Sequence, residues 1–179
     1  LSLNYGGLFL PDAGWLNPKG CISELLTNSL IKVKSYQQIL HTEYGQDGTL
    51  LTIQTAKDLN EHQTFDLVIW TNALEASRFI AMHLPLKPVR GQITQISSLP
   101  ALRMPICGDA YIAPAVNGIM TCGATYAPNS DDLKPRGDDD LTNLTAANSL
   151  LQHPAWTAKD ILGHRVSLRT ATPDYAPIV

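Results

Sequence analysis

Polar and apolar residues alternate strictly near the end of the chain. The polar positions are Arg165, Ser167 and Arg169, and the residues between them are Val166 and Leu168. Because side chains along a strand point alternately to its two faces, this alternation predicts a strand with an apolar back and a basic front. Such a strand can present a fixed guanidinium group to a ligand that lies in front of the sheet.

The first half of the chain contains further strand patterns. Residues 8–10 are apolar and predict a short strand. Residues 32–55 predict a hairpin, because two strand-like segments flank the turn sequence Gly-Gln-Asp-Gly at 45–48. Residues 57–63 are polar and predict a connector. Residues 65–70, FDLVIW, are almost all apolar, which is typical of a strand buried on both faces.

The clearest hairpin is predicted over residues 106–125. Asn117-Gly118 is the favoured dipeptide for a two-residue hairpin turn, and a tight turn there sets Tyr111 opposite Ala124. Pro114 cannot donate a ladder hydrogen bond, so the hairpin is expected to be irregular or to lie at an edge.

A strand is also predicted over residues 85–96, where Gly91 indicates a bulge or a close backbone approach. Three helices are predicted between the strands. The first runs from about Pro18 to about Leu30, and a short one covers residues 75–84. The third covers residues 141–151 and follows an acidic run that favours a helix N-terminus.

Composition places the chain among ordinary globular proteins. Its 179 residues are 44% hydrophobic and 16% charged, with a net charge of -3. No apolar run is long enough to span a bilayer, and the start shows no signal-peptide pattern, so we expect a cytoplasmic protein without a membrane partner. The acidic balance argues against a large nucleic-acid footprint on this segment.

Cysteine and histidine usage gives no indication of a metal site or a disulfide framework. The three cysteines, Cys21, Cys107 and Cys122, are odd in number and contain no C-x-x-C pair. The five histidines lack metal-ligand spacing. We therefore expect reduced thiols and no metal.

No nucleophile motif, P-loop or G-x-G-x-x-G is present in the sequence. The remaining candidates are groups that can orient a small anion. Arg169 can bind a carboxylate through two hydrogen bonds, although spacing alone favours a structural ion pair with Asp174. Tyr111 can offer a hydroxyl, although a core aromatic is the commoner role. Arg90 has no better claim than Arg169.

Several segments, taken in order, resemble a known family. They are GGLFLPDAGWLNP, FDLVIWTNALEASRF, LPLKPVRGQITQI, GDAYIAPA, GATY and RVSLRTATPDYAPIV. Together they resemble the FAD-dependent oxidoreductase superfamily of D-amino-acid and glycine oxidases. Within it they are most similar to the C-terminal oxidoreductase region of the MnmC family, bifunctional enzymes that make 5-methylaminomethyl-2-thiouridine in tRNA.

The resemblance implies an α+β fold with a mixed, mostly antiparallel sheet flanked by helices, plus part of an FAD-binding lobe. Residues 1–84 are expected to belong to the FAD lobe and residues 85–163 to the substrate domain. Residues 164–179 are expected to form a strand that returns toward the FAD lobe.

The resemblance also implies a reaction. A flavin takes hydride from the carbon alpha to the secondary amine of carboxymethylaminomethyl-uridine, and hydrolysis of the imine releases glyoxylate and leaves aminomethyl-uridine. In this family the arginine at the position of Arg169 binds the substrate carboxylate, and Tyr111 matches a tyrosine near the substrate. Ile39, Asn72 and Ala73 match positions close to the adenosine half of FAD. The full protein is expected to act on tRNA and to carry a methyltransferase domain that uses S-adenosyl-L-methionine.

The sequence departs from the family at three places. Ala73 stands where the family usually has glycine, the N-terminal G-x-G-x-x-G unit is absent, and the sequence stops at Val179 where relatives continue. We therefore expect a middle fragment that retains little or no FAD by itself and is inactive. Two alternatives stay open: part of an oxidase of a free amino acid such as glycine, and a non-enzymatic α+β module that binds an anion.

Overall fold

The computed structural model describes residues 2–55, 57, 59–99 and 102–178. It divides into two compact units. The sheet unit comprises Leu1–Leu16 and Leu86–Val179, and the hairpin unit comprises Asn17–Pro85. Which lobe of a flavoenzyme each unit represents stays a prediction.

The hairpin unit is a three-stranded antiparallel sheet with two short helical segments. Its elements are α1 (Pro18–Leu25), β1 (Gln38–Gly45), β2 (Gly48–Gln54), β3 (Asn60–Phe65) and a 3-10 helix (Ala73–Arg78). Strand β2 lies between β1 and β3 and contributes the buried side chains of Leu51 and Ile53. The predicted hairpin and its turn are therefore confirmed.

Three sequence expectations in this half of the chain are wrong. Residues 60–63 of the predicted connector belong to β3, because backbone pairing with β2 does not require apolar side chains. Residues 65–70 do not continue as a strand, and Leu67 and Ile69 are 75% and 74% exposed. A strand buried on both faces requires neighbours on both sides, and no strand in the described residues pairs with residues 66–70. Residues 8–10 also form no strand and are exposed.

The sheet unit is built on a six-stranded antiparallel sheet. Its elements are β4 (Lys87–Ser97), β5 (Ile106–Cys107), β6 (Tyr111–Val116), β7 (Ile119–Gly123), β8 (Ala127–Pro128), α2 (Gly137–Ser149), a 3-10 helix (Ala158–Asp160) and β9 (Ile161–Ala171). The strand order is β5-β6-β7-β4-β8, and β9 pairs along nearly the whole of β4. The expected fold class is confirmed, since the structure is mostly antiparallel β with few helices.

One face of this sheet carries the hydrophobic core. Ile96, Ile112, Met120 and Cys122 are completely buried and belong to one apolar cluster with Leu144 of α2. On the same face of β4, Gln92 and Thr94 donate hydrogen bonds to Asp140 of α2 at 2.8 and 2.7 Å. Apolar packing and a buried polar network thus both hold α2 against the sheet, which leaves the opposite face available for a site.

The β6–β7 hairpin differs from its predicted register by one residue. Asn117 and Gly118 adopt the positive φ angles, 53° and 80°, that the two-residue turn requires, so the turn itself is confirmed. The register shifts between Ala113 and Val116, and Tyr111 therefore faces Gly123 instead of Ala124. Pro114 lies in this irregular stretch and has no N–H to donate, which is the physical reason for the interruption.

Candidate active site

A cavity of about 750 Å³ lies within the sheet unit. Residues of the two longest strands line it, among them Val89, Gly91 and Ile93 from β4, and Arg165, Ser167 and Arg169 from β9. In the strand register these residues form three opposing pairs, so they share one face of the sheet. Tyr111, Thr125 and Tyr126 also line the cavity.

Arg169 presents a free guanidinium group to this cavity. It lies opposite Val89 in the β4–β9 ladder and is exposed, as alternation predicts. Within residues 2–55, 57, 59–99 and 102–178, its side chain has neither an ion-pair partner nor a hydrogen-bond partner. Asp174 instead accepts a hydrogen bond from the backbone N–H of Ala176 at 3.1 Å. The structural ion pair between Arg169 and Asp174 is therefore not formed.

Tyr111 lies at the same cavity and is half-buried. Burial raises the pKa of Tyr111, the nearby Cys122 raises it further, and the positive charge of Arg169 lowers it. The phenol is therefore protonated at neutral pH and can donate a hydrogen bond to an anion held by Arg169. The fold thus brings together the two side chains that the sequence singled out for substrate binding.

Arg90 has a different environment, although it lies on the strand next to Arg169. Its side chain is completely buried, and its guanidinium donates hydrogen bonds to Asp139 Oδ2 at 2.5 Å and to the carbonyl of Lys134 at 2.7 Å. A guanidinium that is already paired and buried is not available to a ligand. Arg90 is therefore not an alternative to Arg169.

The cavity also contains residues that sequence reasoning did not assign. Arg165 and Ser167 share the face of Arg169, and the alternation of the strand was the signal that could have identified them. Tyr126 follows β7 and ends the GATY segment that belongs to the family resemblance, but the sequence assigned it no role. Its hydroxyl lies 2.7 Å from that of Tyr175, and this hydrogen bond raises the pKa of Tyr126.

A second cavity, of about 580 Å³, lies within the hairpin unit. Ile39 and Asn72 line it, as do Glu75, Arg78 and the stacked pair of Trp70 and Phe79, whose ring centroids are 4.6 Å apart. Ala73 follows Asn72 directly and has a φ of 56°. Of the three residues predicted to contact the cofactor, Ile39 and Asn72 therefore line one cavity and Ala73 is next to it in sequence.

The lining of this second cavity is chemically compatible with the predicted contact to the adenosine half of FAD. Aromatic and polar side chains are suitable partners for an adenine ring and a ribose, and the volume lies in the ordinary range for a ligand site. The left-handed backbone at Ala73 is a conformation that glycine adopts without strain, consistent with a backbone that approaches a ligand closely. The usual pyrophosphate-binding glycine motif is absent from the sequence.

The described residues contain no cluster of histidine, cysteine or carboxylate groups that could hold a metal ion. None of the helices among them combines the length and the apolar character needed to cross a bilayer.

The chain is similar in sequence to a group of tRNA-modification proteins. It is 30% identical over 188 residues to the tRNA 5-methylaminomethyl-2-thiouridine biosynthesis bifunctional protein MnmC of Methylobacillus flagellatus. It is 33% identical over 189 residues to the protein of that name from Ectopseudomonas mendocina. All of the chain is covered in each case, but it spans only 28% of the length of these relatives.

Solved structures share the fold at lower sequence identity. Glycine oxidase from Geobacillus kaustophilus superposes with a TM-score of 0.67 at 17% identity, over 82% of this chain and 40% of that one. Iminodiacetate oxidase from Chelativorans sp. BNC1 gives a TM-score of 0.57 at 17% identity, over 74% and 37%. Residues 2–179 match the family described as FAD dependent oxidoreductase, DAO. Since that match covers nearly every residue, the chain belongs to the DAO family of FAD-dependent oxidoreductases.

Proposed function

We propose that the chain is part of an enzyme that oxidatively removes the carboxymethyl group of 5-carboxymethylaminomethyl-uridine, or its 2-thio form, at the wobble position of tRNA. The observation that carries this proposal is Arg169, whose guanidinium has no ion-pair or hydrogen-bond partner among the described residues and lies at the wall of a cavity within a DAO-family chain. The choice of tRNA as the substrate is supported by the names of the MnmC relatives, which are about 30% identical to the chain.

The proposed reaction breaks one carbon–nitrogen bond of the substrate. The carbon alpha to the carboxylate loses a hydride and the secondary amine loses a proton, which gives an imine. Water adds to the imine carbon, and cleavage releases glyoxylate and the aminomethyl-uridine. FAD, when bound, supplies the two-electron acceptor.

The residues of this chain bind and orient the substrate in this proposal. Arg169 holds the carboxylate through two parallel hydrogen bonds, because its planar group matches the two oxygens. Tyr111 donates a further hydrogen bond to the carboxylate. When both oxygens of the substrate carboxylate are held, the carbon next to the carboxylate is fixed in the orientation from which its hydride leaves. Ile39, Asn72 and Ala73 hold the adenosine half of FAD.

The same arginine would serve an oxidase of a free amino acid such as glycine. The net charge of -3 favours this second candidate, since it gives no general attraction for tRNA. Contacts to tRNA from other parts of a longer protein, including a methyltransferase domain that uses S-adenosyl-L-methionine, would remove this objection. A non-enzymatic module that binds an anion through Arg169 is the third candidate.

The test uses the intact protein that contains this chain, purified with its flavin. Wild type and Arg169→Lys are incubated with tRNA that carries 5-carboxymethylaminomethyl-uridine and, separately, with glycine, and glyoxylate is measured. We expect wild type to act on the tRNA, and Arg169→Lys to have a raised KM with unchanged flavin absorbance. Arg103→Lys, an exposed arginine away from the cavity, is the matched control.

Three results would count against the proposal. Turnover of glycine but not of tRNA would indicate the amino-acid oxidase, and no turnover of either substrate would indicate the binding module. Unchanged kinetics for Arg169→Lys would show that Arg169 does not bind the carboxylate.

A further inference from the structure

We propose that Arg165 forms a second anion subsite in the cavity of Arg169, and that it binds a phosphate attached to the nucleoside being oxidised. This inference rests on the proposed function, because it assigns to the same site a nucleotide instead of a free amino acid. It concerns a residue that the sequence resemblance did not assign.

The first observation is that Arg165 and Arg169 face the same cavity and are both unpaired. Both are exposed and line the cavity. Neither has an ion-pair or hydrogen-bond partner in the part of the chain that the structure describes. Each guanidinium is therefore available to bind an anion of its own.

The second observation is the local charge. The charged residues that line the cavity are Asp109, Arg90, Arg165 and Arg169. The charge of Arg90 is compensated by its ion pair with Asp139, which leaves two arginines and one aspartate. The cavity is therefore net positive in a chain whose total charge is -3. The positive charge is thus local to this cavity and not general to the chain, so it favours an anionic ligand there.

The third observation is the distance between the two arginines. They are four residues apart on β9, so their Cα atoms are separated by about 13 Å at the usual rise of a strand. Both positions are fixed by pairing with β4, where Arg165 faces Ile93 and Arg169 faces Val89. A free amino acid such as glycine, held by its carboxylate at Arg169, is too short to reach Arg165. A nucleotide is longer, since the uracil ring and the ribose separate the carboxylate from the phosphate.

Arginine is suited to both anions for the same reason. Its planar group donates two parallel hydrogen bonds to a carboxylate or to a phosphate. Ser167 lies between the two arginines on the same face, so a ligand that spans them passes over its hydroxyl. The spacing thus matches a ligand that carries two well-separated anionic groups, such as a carboxylate at one end and a phosphate at the other.

The test compares wild type and Arg165→Gln of the intact flavoprotein on four substrates. These are 5-carboxymethylaminomethyl-uridine as the nucleoside, its 5′-monophosphate, its 3′-monophosphate, and tRNA that carries it. We expect Arg165→Gln to raise KM about tenfold or more for tRNA and for one of the two monophosphates, and to leave KM for the nucleoside unchanged. The monophosphate affected shows which phosphate Arg165 binds. Arg169→Gln is expected to raise KM for all four substrates.

Binding provides a second measurement that does not depend on turnover. Uridine monophosphate should bind wild type more tightly than uridine does, and Arg165→Gln should abolish this difference. Arg103→Gln removes the same charge from a position outside the cavity and should preserve it.

The outcomes separate this inference from the proposed function. If wild type oxidises the modified uridine in tRNA but Arg165→Gln leaves both monophosphates and the tRNA unaffected, the phosphate subsite is wrong and the proposed function stands. If Arg165→Gln and Arg103→Gln raise KM for tRNA equally, the effect comes from the general charge of the protein, and the assignment of Arg165 to a phosphate subsite is also wrong. If wild type oxidises only free glycine, both proposals are wrong.

Discussion

Arg90 and Asp139 form an ion pair across the back of the sheet, with Nη1 and Oδ2 2.5 Å apart and the arginine side chain completely buried. The same guanidinium donates to the backbone carbonyls of Asp132 and Lys134 at 2.6 and 2.7 Å. Arg90 therefore joins the central strand to the loop that leads into α2. Arg169, on the neighbouring strand, has no such partner among the described residues.

This difference predicts opposite effects of two similar substitutions. Arg90→Ala leaves the Asp139 carboxylate without its partner and should lower the free energy of unfolding by about 3–5 kcal/mol. Arg169→Ala removes an exposed and unpaired side chain, so it should change stability little while it weakens substrate binding. Thermal unfolding of the intact protein measures the first effect and KM the second. Equal stability of the two variants would contradict the structural role of Arg90.

Tyr111→Phe tests the second substrate contact. The variant loses one hydrogen bond to a charged group and should raise KM about tenfold, with flavin content unchanged. The pKa of Tyr111 lies above its ordinary value of 10.0, so the hydroxyl stays largely protonated as pH rises from 7 to 9. The ratio of KM between variant and wild type should therefore be constant over that range. Tyr5→Phe, at an exposed position outside the cavity, is the control, and an equal effect there would refute the assignment.

Cys122 should be the least reactive of the three thiols. Its side chain is completely buried, and burial raises its pKa to about 11, with a further contribution from Asp140. A neutral alkylating reagent at pH 8 should modify the exposed Cys21 and Cys107 first. Mass spectrometry of the alkylated peptides measures the order. Early modification of Cys122 in folded protein would contradict its buried position.

The same thiol should make stability depend on pH. Above its ordinary pKa of 9.0 the unfolded thiol loses its proton, whereas the folded thiol keeps it until about pH 11. The folded state then binds more protons than the unfolded state, so the stability present below pH 9 declines as pH rises from 9 to 11. Cys122→Ala should show a smaller decline over this interval, as measured by melting temperature against pH. An identical slope in the variant would assign the decline to other groups.

Ala73→Gly should stabilise the protein. A left-handed conformation costs an L-residue roughly 1–2 kcal/mol, and the φ of Ala73 is 56°. Glycine relieves this strain but gains freedom in the unfolded chain, so a net gain of about 1 kcal/mol is expected. Ala76→Gly, in the same 3-10 helix but without a positive φ, should be destabilising. Chemical denaturation compares them, and a loss of stability in both would show that Ala73 is not strained.

Local patterns predicted the elements whose partners are near in sequence. The Asn117-Gly118 turn, the hairpin of β1 and β2 and the alternation of β9 depend on neighbouring residues, and the structure contains all three. The register of Tyr111 was predicted one residue away, because the interruption at Pro114 depends on how two whole strands pair. Residues 65–70 were predicted as a buried strand because hydrophobicity was taken as a sign of burial. No strand among the described residues pairs with Leu67 or Ile69, and both side chains are exposed.

By itself the sequence determined that β9 carries Arg165, Ser167 and Arg169 on one face, because the period of a strand is a local property of the chain. It could not determine which arginine is available to a ligand. Arg90 and Arg169 have the same chemistry, and each lies on a strand. Tertiary structure decided between them, since the acidic start of α2 pairs with Arg90 across 49 positions of sequence, whereas Arg169 has no partner among the described residues and lines the cavity. Charge pairing over such separations depends on the packing of the whole sheet unit.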